Sequence, residues 1–330
     1  MIYINSNDAK IKSALDFHIK GLFSILKRRV NRCTNSDIKA FLSDATLKIF
    51  LQGKPEEILD LNNQFYSNIS NYSLDGYDNF RLNIDKTPKT RAEKQNVTKY
   101  KRLNSFVEDI FNYETSFSIK TTKYSTYNLA NNLDISTCVY CNRMYTKTVF
   151  TPEKLTRPEF DHWFPKSKYP LLALSFYNLI PSCHICNSSL KGATNLNLND
   201  YLHPYIDDEK IINTEIKFSY YNKSLNTFGF NMLNNPNSKK GLNTINAFKI
   251  KEIYETHEEE IKELRRIRDV YSESYLQKLS TLYKGIISPE EVYRLAFGVY
   301  IEETKFEKRP LSKMKKDILI ELGIINDETK

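Results

Sequence analysis

Two short cysteine pairs constrain this chain more than any other feature: Cys138-Val139-Tyr140-Cys141 and Cys183-His184-Ile185-Cys186. Each C-x-x-C puts two thiols into one tight turn, the bite of two corners of a tetrahedral metal site. The fifth cysteine, Cys33, stands apart. The first residues, Met1 to Asp8, carry neither the basic run nor the apolar stretch of a secretory signal, so a cytoplasmic setting is expected. In that reducing compartment, paired cysteines read as metal ligands rather than disulfides. Four thiolates leave no open coordination position, so the expected ion is a structural Zn²⁺ and any chemistry must lie elsewhere. The 41 residues between Cys141 and Cys183 are too many for a simple zinc ribbon. A substantial structure has to be clamped between the two turns.

The rest of the composition sets the frame. With 330 residues, 40% hydrophobic and 13% aromatic, the chain is long enough for two or three modest domains and is not a disordered polypeptide. Its most apolar stretch, residues 171–181, is interrupted by Ser175, Asn178 and Pro181 and is too short to span a bilayer, so no membrane association is expected. The net charge of +8 is unevenly spread. Residues 1–130 hold 20 basic and 14 acidic groups, 131–200 hold 7 and 5, and 201–330 hold 21 of each. Such a balance is compatible with a polyanionic partner.

Periodicity predicts a mostly helical α+β chain in three segments: a helical N-terminal domain over 1–130, a central module over 131–206, and a β-hairpin followed by helices over 207–330. Apolar spacing predicts helices over 7–29 and 37–51, with Gly53 and Pro55 as stops. The Asn-, Ser- and Tyr-rich residues 62–98 show no clear period and read as loop with short elements. Alternation over 215–221 and 227–233 predicts a hairpin, and 240–286 and 289–325 read as helical, Ser288-Pro289 forming a start signal. His18 reads as a packing residue of the first helix, and His257 as a solvated one.

The candidate chemistry lies between the cysteine pairs. There runs Phe160-Asp161-His162-Trp163-Phe164-Pro165-Lys166-Ser167-Lys168, then Tyr177-Asn178-Leu179-Ile180-Pro181-Ser182, the second pair, and Asn187-Ser188-Ser189-Leu190-Lys191-Gly192. This order resembles the zinc-clamped branch of the HNH endonuclease superfamily, and its wording is similar to bacterial anti-phage defence HNH proteins of the Septu type, which act beside an ATPase. The match covers about 138–191, roughly a fifth of the chain. It implies a ββα-metal module that hydrolyses DNA phosphodiesters, RNA not being excluded, with a protein partner that is an ATPase.

The residue chemistry points the same way. Asp161 is a hard oxygen ligand suited to Mg²⁺ or Mn²⁺. His162 has a side chain that titrates near neutrality and can serve as general base. Adjacent strand residues point to opposite faces, so a distorted strand is expected if both serve one site. Asn178 is expected to orient His162 by hydrogen bonding. Where many relatives place a His after the second pair, this chain has Asn187, whose amide oxygen can complete the catalytic metal site; His203 is the alternative ligand. Lys166, Lys168, Lys191 and Arg143 are candidate phosphate contacts. A second class of function is a zinc-stabilised nucleic-acid-binding subunit that cuts nothing. No helix-turn-helix or homeodomain pattern supplies a specificity module.

Overall fold

Ile11, Ala14, His18, Leu22, Leu26 and Val30 recur at three- and four-residue spacing and form the buried stripe of α1 (Ala9–Arg32). This is seen in a computed structural model that describes residues 1–118, 123–150, 155–270, 278, 281–282, 286 and 288–325. The single helix expected over 37–51 is two, α2 (Ser36–Phe41) and α3 (Asp44–Gln52). Ser43 divides them: its hydroxyl accepts the Thr46 amide and starts a new helix. α3 ends at Gln52, before Gly53 and Pro55 as expected, and Pro55 also opens α4 (Pro55–Asn68), because its missing N–H is no loss in a first turn.

Residues 62–98 are largely helical, which corrects the loop reading. Helix α4 runs to Asn68, α5 spans Leu74–Asn83, and α6 spans Arg91–Ile110. The physical reason is aromatic packing. Tyr66, Tyr77, Phe80 and Tyr100 are buried together, with the Tyr66 and Tyr77 rings stacked 3.5 Å apart. Tyrosines carry the apolar stripe here, and a reading keyed to aliphatic spacing passes over them.

Past a π-helical turn at Glu114–Ser118 and α7 (Thr126–Leu133), the chain forms small strands. β1 (Val149–Phe150) pairs with β2 (Leu155–Thr156), and β3 (Glu159–His162) pairs antiparallel with β4 (Leu179–Ser182). The β3–β4 register runs from Glu159 opposite Ser182 to His162 opposite Leu179 without a bulge. A second π-helical turn, Ile185–Lys191, follows β4, giving the order strand, strand, helix. α8 (Glu209–Glu215) then leads into the expected hairpin, β5 (Ile216–Ser224) with β6 (Thr227–Asn234).

The C-terminal helices are α9 (Lys240–Ala247), α10 (Ile250–Tyr254), α11 (Glu258–Val270), α12 (Pro289–Phe297) and α13 (Ser312–Glu321). Ser288 caps α12 as its sequence suggests, and Gly298, at φ 69°, ends it. Most of the helix expected up to residue 286 beyond α11 lies outside the described residues. Among the described residues the strands form three separate two-stranded sheets in a helix-rich α+β chain. No described helix is long and apolar enough to cross a membrane. Leu22 and Phe65 from the first segment, Leu171 and Leu179 from the second, and Tyr254 and Ile318 from the third belong to one contiguous core.

His18 sits at the junction of the first two segments. Its Nε2 donates to the Leu174 carbonyl at 2.8 Å, and the Tyr124 hydroxyl donates to Nδ1 at 3.3 Å. Phe117, Tyr124 and Phe176 meet the ring edge-on. Burial pulls this imidazole down to about 4, so it is neutral in the fold. A group whose folded value is lowered contributes stability above its unfolded value, lost as the pH falls from about 6.5 towards 4. Urea denaturation at pH 7 and pH 4.5 should show the wild type losing about 2 kcal/mol more than His18→Gln between the two conditions. Equal pH dependence of the two proteins would refute this.

Candidate functional site

Cys138, Cys141, Cys183 and Cys186 are all buried, and their sulfurs lie within 4.8 Å of one another. Zn–S bonds of about 2.3 Å place tetrahedral sulfurs about 3.8 Å apart, so this cluster can hold a metal ion such as zinc. It is the only group of three or more His, Cys, Asp or Glu ligand atoms so gathered among the described residues. The first turn is shaped for the task. The Asn142 amide donates to the Cys138 carbonyl at 2.8 Å, Asn142 adopts φ 50°, and the Arg143 amide points at Cys141 Sγ at 3.4 Å. Burial pushes the Cys138 thiol up.

A pocket of about 510 Å³ opens along β3 and the turn that carries Cys186. Asp161, His162 and Asn187 all border it, joined by Glu159, Arg157 and Lys166. His162 is the last residue of β3, so the pocket takes in both strand faces at the strand end with no distortion of the pairing. Its Nε2 lies 3.0 Å from the Ala173 carbonyl, which can only accept, so Nε2 carries the proton and Nδ1 keeps its lone pair. The Tyr113 ring meets the imidazole edge-on at 4.7 Å. Burial, with Lys166 and Lys191 nearby, pulls His162 down to about 3, so it is neutral at physiological pH.

Asp161 is buried, with Oδ2 accepting from the Tyr140 hydroxyl at 2.5 Å and Oδ1 from Lys191 Nζ at 2.9 Å. Burial raises its carboxyl, against the pull of Lys191. Asn187 donates through Nδ2 to Glu159 Oε2 at 2.8 Å, so its amide oxygen is the atom that could ligate a cation. Burial alone would raise Glu159, but hydrogen bonds from His184, Asn187 and Ser188 outweigh it and lower the carboxyl. Glu159 and Arg157 were not singled out in the sequence. Glu159 stands two residues before Asp161 on the same strand face, which is the signal that could have found it.

Several expected roles are corrected by placement. Asn178 does not bond His162; it accepts the Phe164 amide at 2.7 Å and donates to the Phe164 and Leu172 carbonyls at 3.1 and 2.9 Å. It shapes the loop that delivers the Ala173 carbonyl to His162, so its effect on the ring is indirect. His203 is buried away from the pocket, its ring against Trp163 at 4.7 Å, and burial with Lys240 and Lys54 takes it down to about 3. Lys168 is buried and pairs with Asp85 at 2.9 Å, while its carbonyl accepts from Tyr77. Arg143 donates to the Ile253 carbonyl at 3.1 Å. Both tie the module to its flanks. Lys191 is buried on Asp161 instead of facing solvent. Of the four candidate phosphate contacts, Lys166 alone borders the pocket, paired with Glu114 at 2.7 Å.

No protein-family model matches this chain, and no curated protein or solved structure is significantly similar to it.

Elemental analysis of the purified chain should find about one tightly held metal ion per molecule. Cys186→Ser or chelation should lower the thermal midpoint sharply, because metal binding to a buried thiolate set is folding free energy. An unchanged midpoint in the metal-free chain would remove the structural role.

Proposed function

We propose that this protein is a divalent-metal-dependent phosphodiesterase of the HNH type that cuts DNA, with zinc in the Cys₄ clamp. The observation that supports it is the pocket bordered by His162, Asp161 and Asn187, with the imidazole held through Nε2 and its Nδ1 lone pair free to take a proton. Asp161 and the Asn187 amide oxygen would hold the Mg²⁺ or Mn²⁺, which supplies Lewis-acid stabilisation of the phosphate oxygens when bound. His162 draws the proton from the attacking water; a ring neutral at pH 7 is in the protonation state that role requires. Arg157 and Lys166 offer positive charge to a phosphate at the pocket wall. The resemblance adds a partner ATPase and a role in anti-phage defence to this reading.

A second reading, a zinc-stabilised nucleic-acid-binding subunit without turnover, is favoured by one fact: both Asp161 oxygens are already engaged. Cleavage of plasmid and of short single strands, with Mg²⁺, Mn²⁺ or EDTA, separates the two. The nuclease reading expects divalent-dependent cutting that falls at least about 100-fold in His162→Ala and in Asp161→Ala. Undiminished cutting by both variants would sink it, and DNA retention without turnover in any metal or with an added ATPase would favour the second.

A further inference from the structure

The Asp161–Lys191 pair is the most enclosed ion pair near the pocket, with side chains 3% and 0% exposed. Lys191 Nζ donates to Asp161 Oδ1 at 2.9 Å and also to the His162 carbonyl oxygen at 2.8 Å. A carboxylate oxygen and a backbone carbonyl on one strand end are the hard donors a divalent cation takes. The ammonium occupies that oxygen cage.

We propose that Lys191 is a built-in cation that fills the Asp161 metal position in the resting protein and is displaced when a divalent ion binds. This rests on the metal-dependent reading above. An ammonium and a divalent ion cannot share one carboxylate oxygen in a site this poorly solvated, since like charges a few ångströms apart repel strongly where water is excluded. The lysine has a way out. It ends the turn Ile185–Lys191, and the next residue, Gly192, borders the pocket. A four-carbon stem can carry the ammonium from Asp161 into that space while Cys186 and Asn187, earlier in the same turn, stay in place. There it meets the phosphate that the pocket is proposed to hold. Substrate arrival and metal entry are thereby coupled: the phosphate takes over the lysine's charge as the metal takes over the carboxylate.

The test is Mn²⁺ binding to the zinc-loaded full chain, followed by electron paramagnetic resonance and calorimetry and independent of cleavage. Lys191→Met should bind Mn²⁺ at least about tenfold more tightly than wild type, the reach of one like-charge contact. Lys191→Arg should stay as weak as wild type, and Lys191→Met with Asp161→Asn should lose the gain. Equal affinity in wild type and a folded Lys191→Met would overturn the proposal, as would a gain that survives Asp161→Asn. Should Lys191→Met fail to fold, the wild type itself decides: the exchange-protected Lys191 ammonium signal in ¹⁵N spectra should vanish on saturation with Mg²⁺, and its persistence would overturn the displacement. Divalent-dependent cleavage with unchanged Lys191→Met affinity would sink the displacement alone. Absence of Mn²⁺ binding in every variant would sink both readings.

Discussion

Five consecutive residues, Cys138 to Asn142, join almost every part of the molecule. Cys138 and Cys141 face Cys183 and Cys186 across the four-sulfur cluster, which can hold a metal ion. The Val139 carbonyl accepts from the Ile2 amide, and the Val139 amide donates to the Pro181 carbonyl of β4. Tyr140 bonds Asp161 through its hydroxyl and stacks on Phe248 at 4.1 Å. Tyr254 donates to the Cys141 carbonyl. Asn142 holds the chain around residues 306–313 through its side chain and through its carbonyl, which accepts the Leu311 amide. The four sulfurs therefore locate the N-terminal residues, the candidate carboxylate and the C-terminal helices in one operation. A metal held by the four sulfurs would act on the pocket through the Tyr140–Asp161 hydrogen bond.

Much of the remaining specificity comes from buried polar side chains with their partners in place. Asn142 donates to the Phe306 and Arg309 carbonyls, Asn178 holds the Phe164 and Leu172 backbone of its own loop, and Lys313, also buried, pairs with Asp317 and donates to Asn213. An unpaired polar group at such positions would cost several kilocalories, so each restricts the chain to one arrangement more sharply than an apolar contact would. The same rule explains why Lys168 and Arg143 are engaged by protein partners. Cationic side chains on a module packed between helical flanks are used to bind those flanks.

The pocket itself is a site of balanced charge. Glu159, Asp161 and Glu114 line it with Arg157 and Lys166; Lys191, buried outside the lining, pairs with Asp161, and the imidazole beside them is neutral. Burial separates the two carboxylates. Glu159 is open enough to be stabilised by hydrogen bonds from His184, Asn187 and Ser188, whereas Asp161 depends on an ammonium. Two carboxylates on one strand face, both bordering the pocket, thus have different chemistry because one is partly exposed and the other is buried.

The cysteine spacing, the helical period of α1, the β5–β6 alternation and the Ser288-Pro289 start of α12 are local patterns, and each was legible from the residues alone. The family resemblance, with the chemistry of the side chains, marked Asp161, His162 and Asn187 as candidates, and they border one pocket. What local pattern could not supply were contacts between residues far apart in the chain. The helices of residues 62–98 depend on Tyr66 and Tyr77 meeting Tyr100, and the orientation of His162 depends on a loop that Asn178 folds. The burial of His203 against Trp163 and of Lys191 against Asp161 follows from packing that brings remote segments together. Residue type and spacing determined which groups were present and in what order. Tertiary structure alone decided which of them meet, because burial and partner choice are properties of the assembled core and not of any short stretch of sequence.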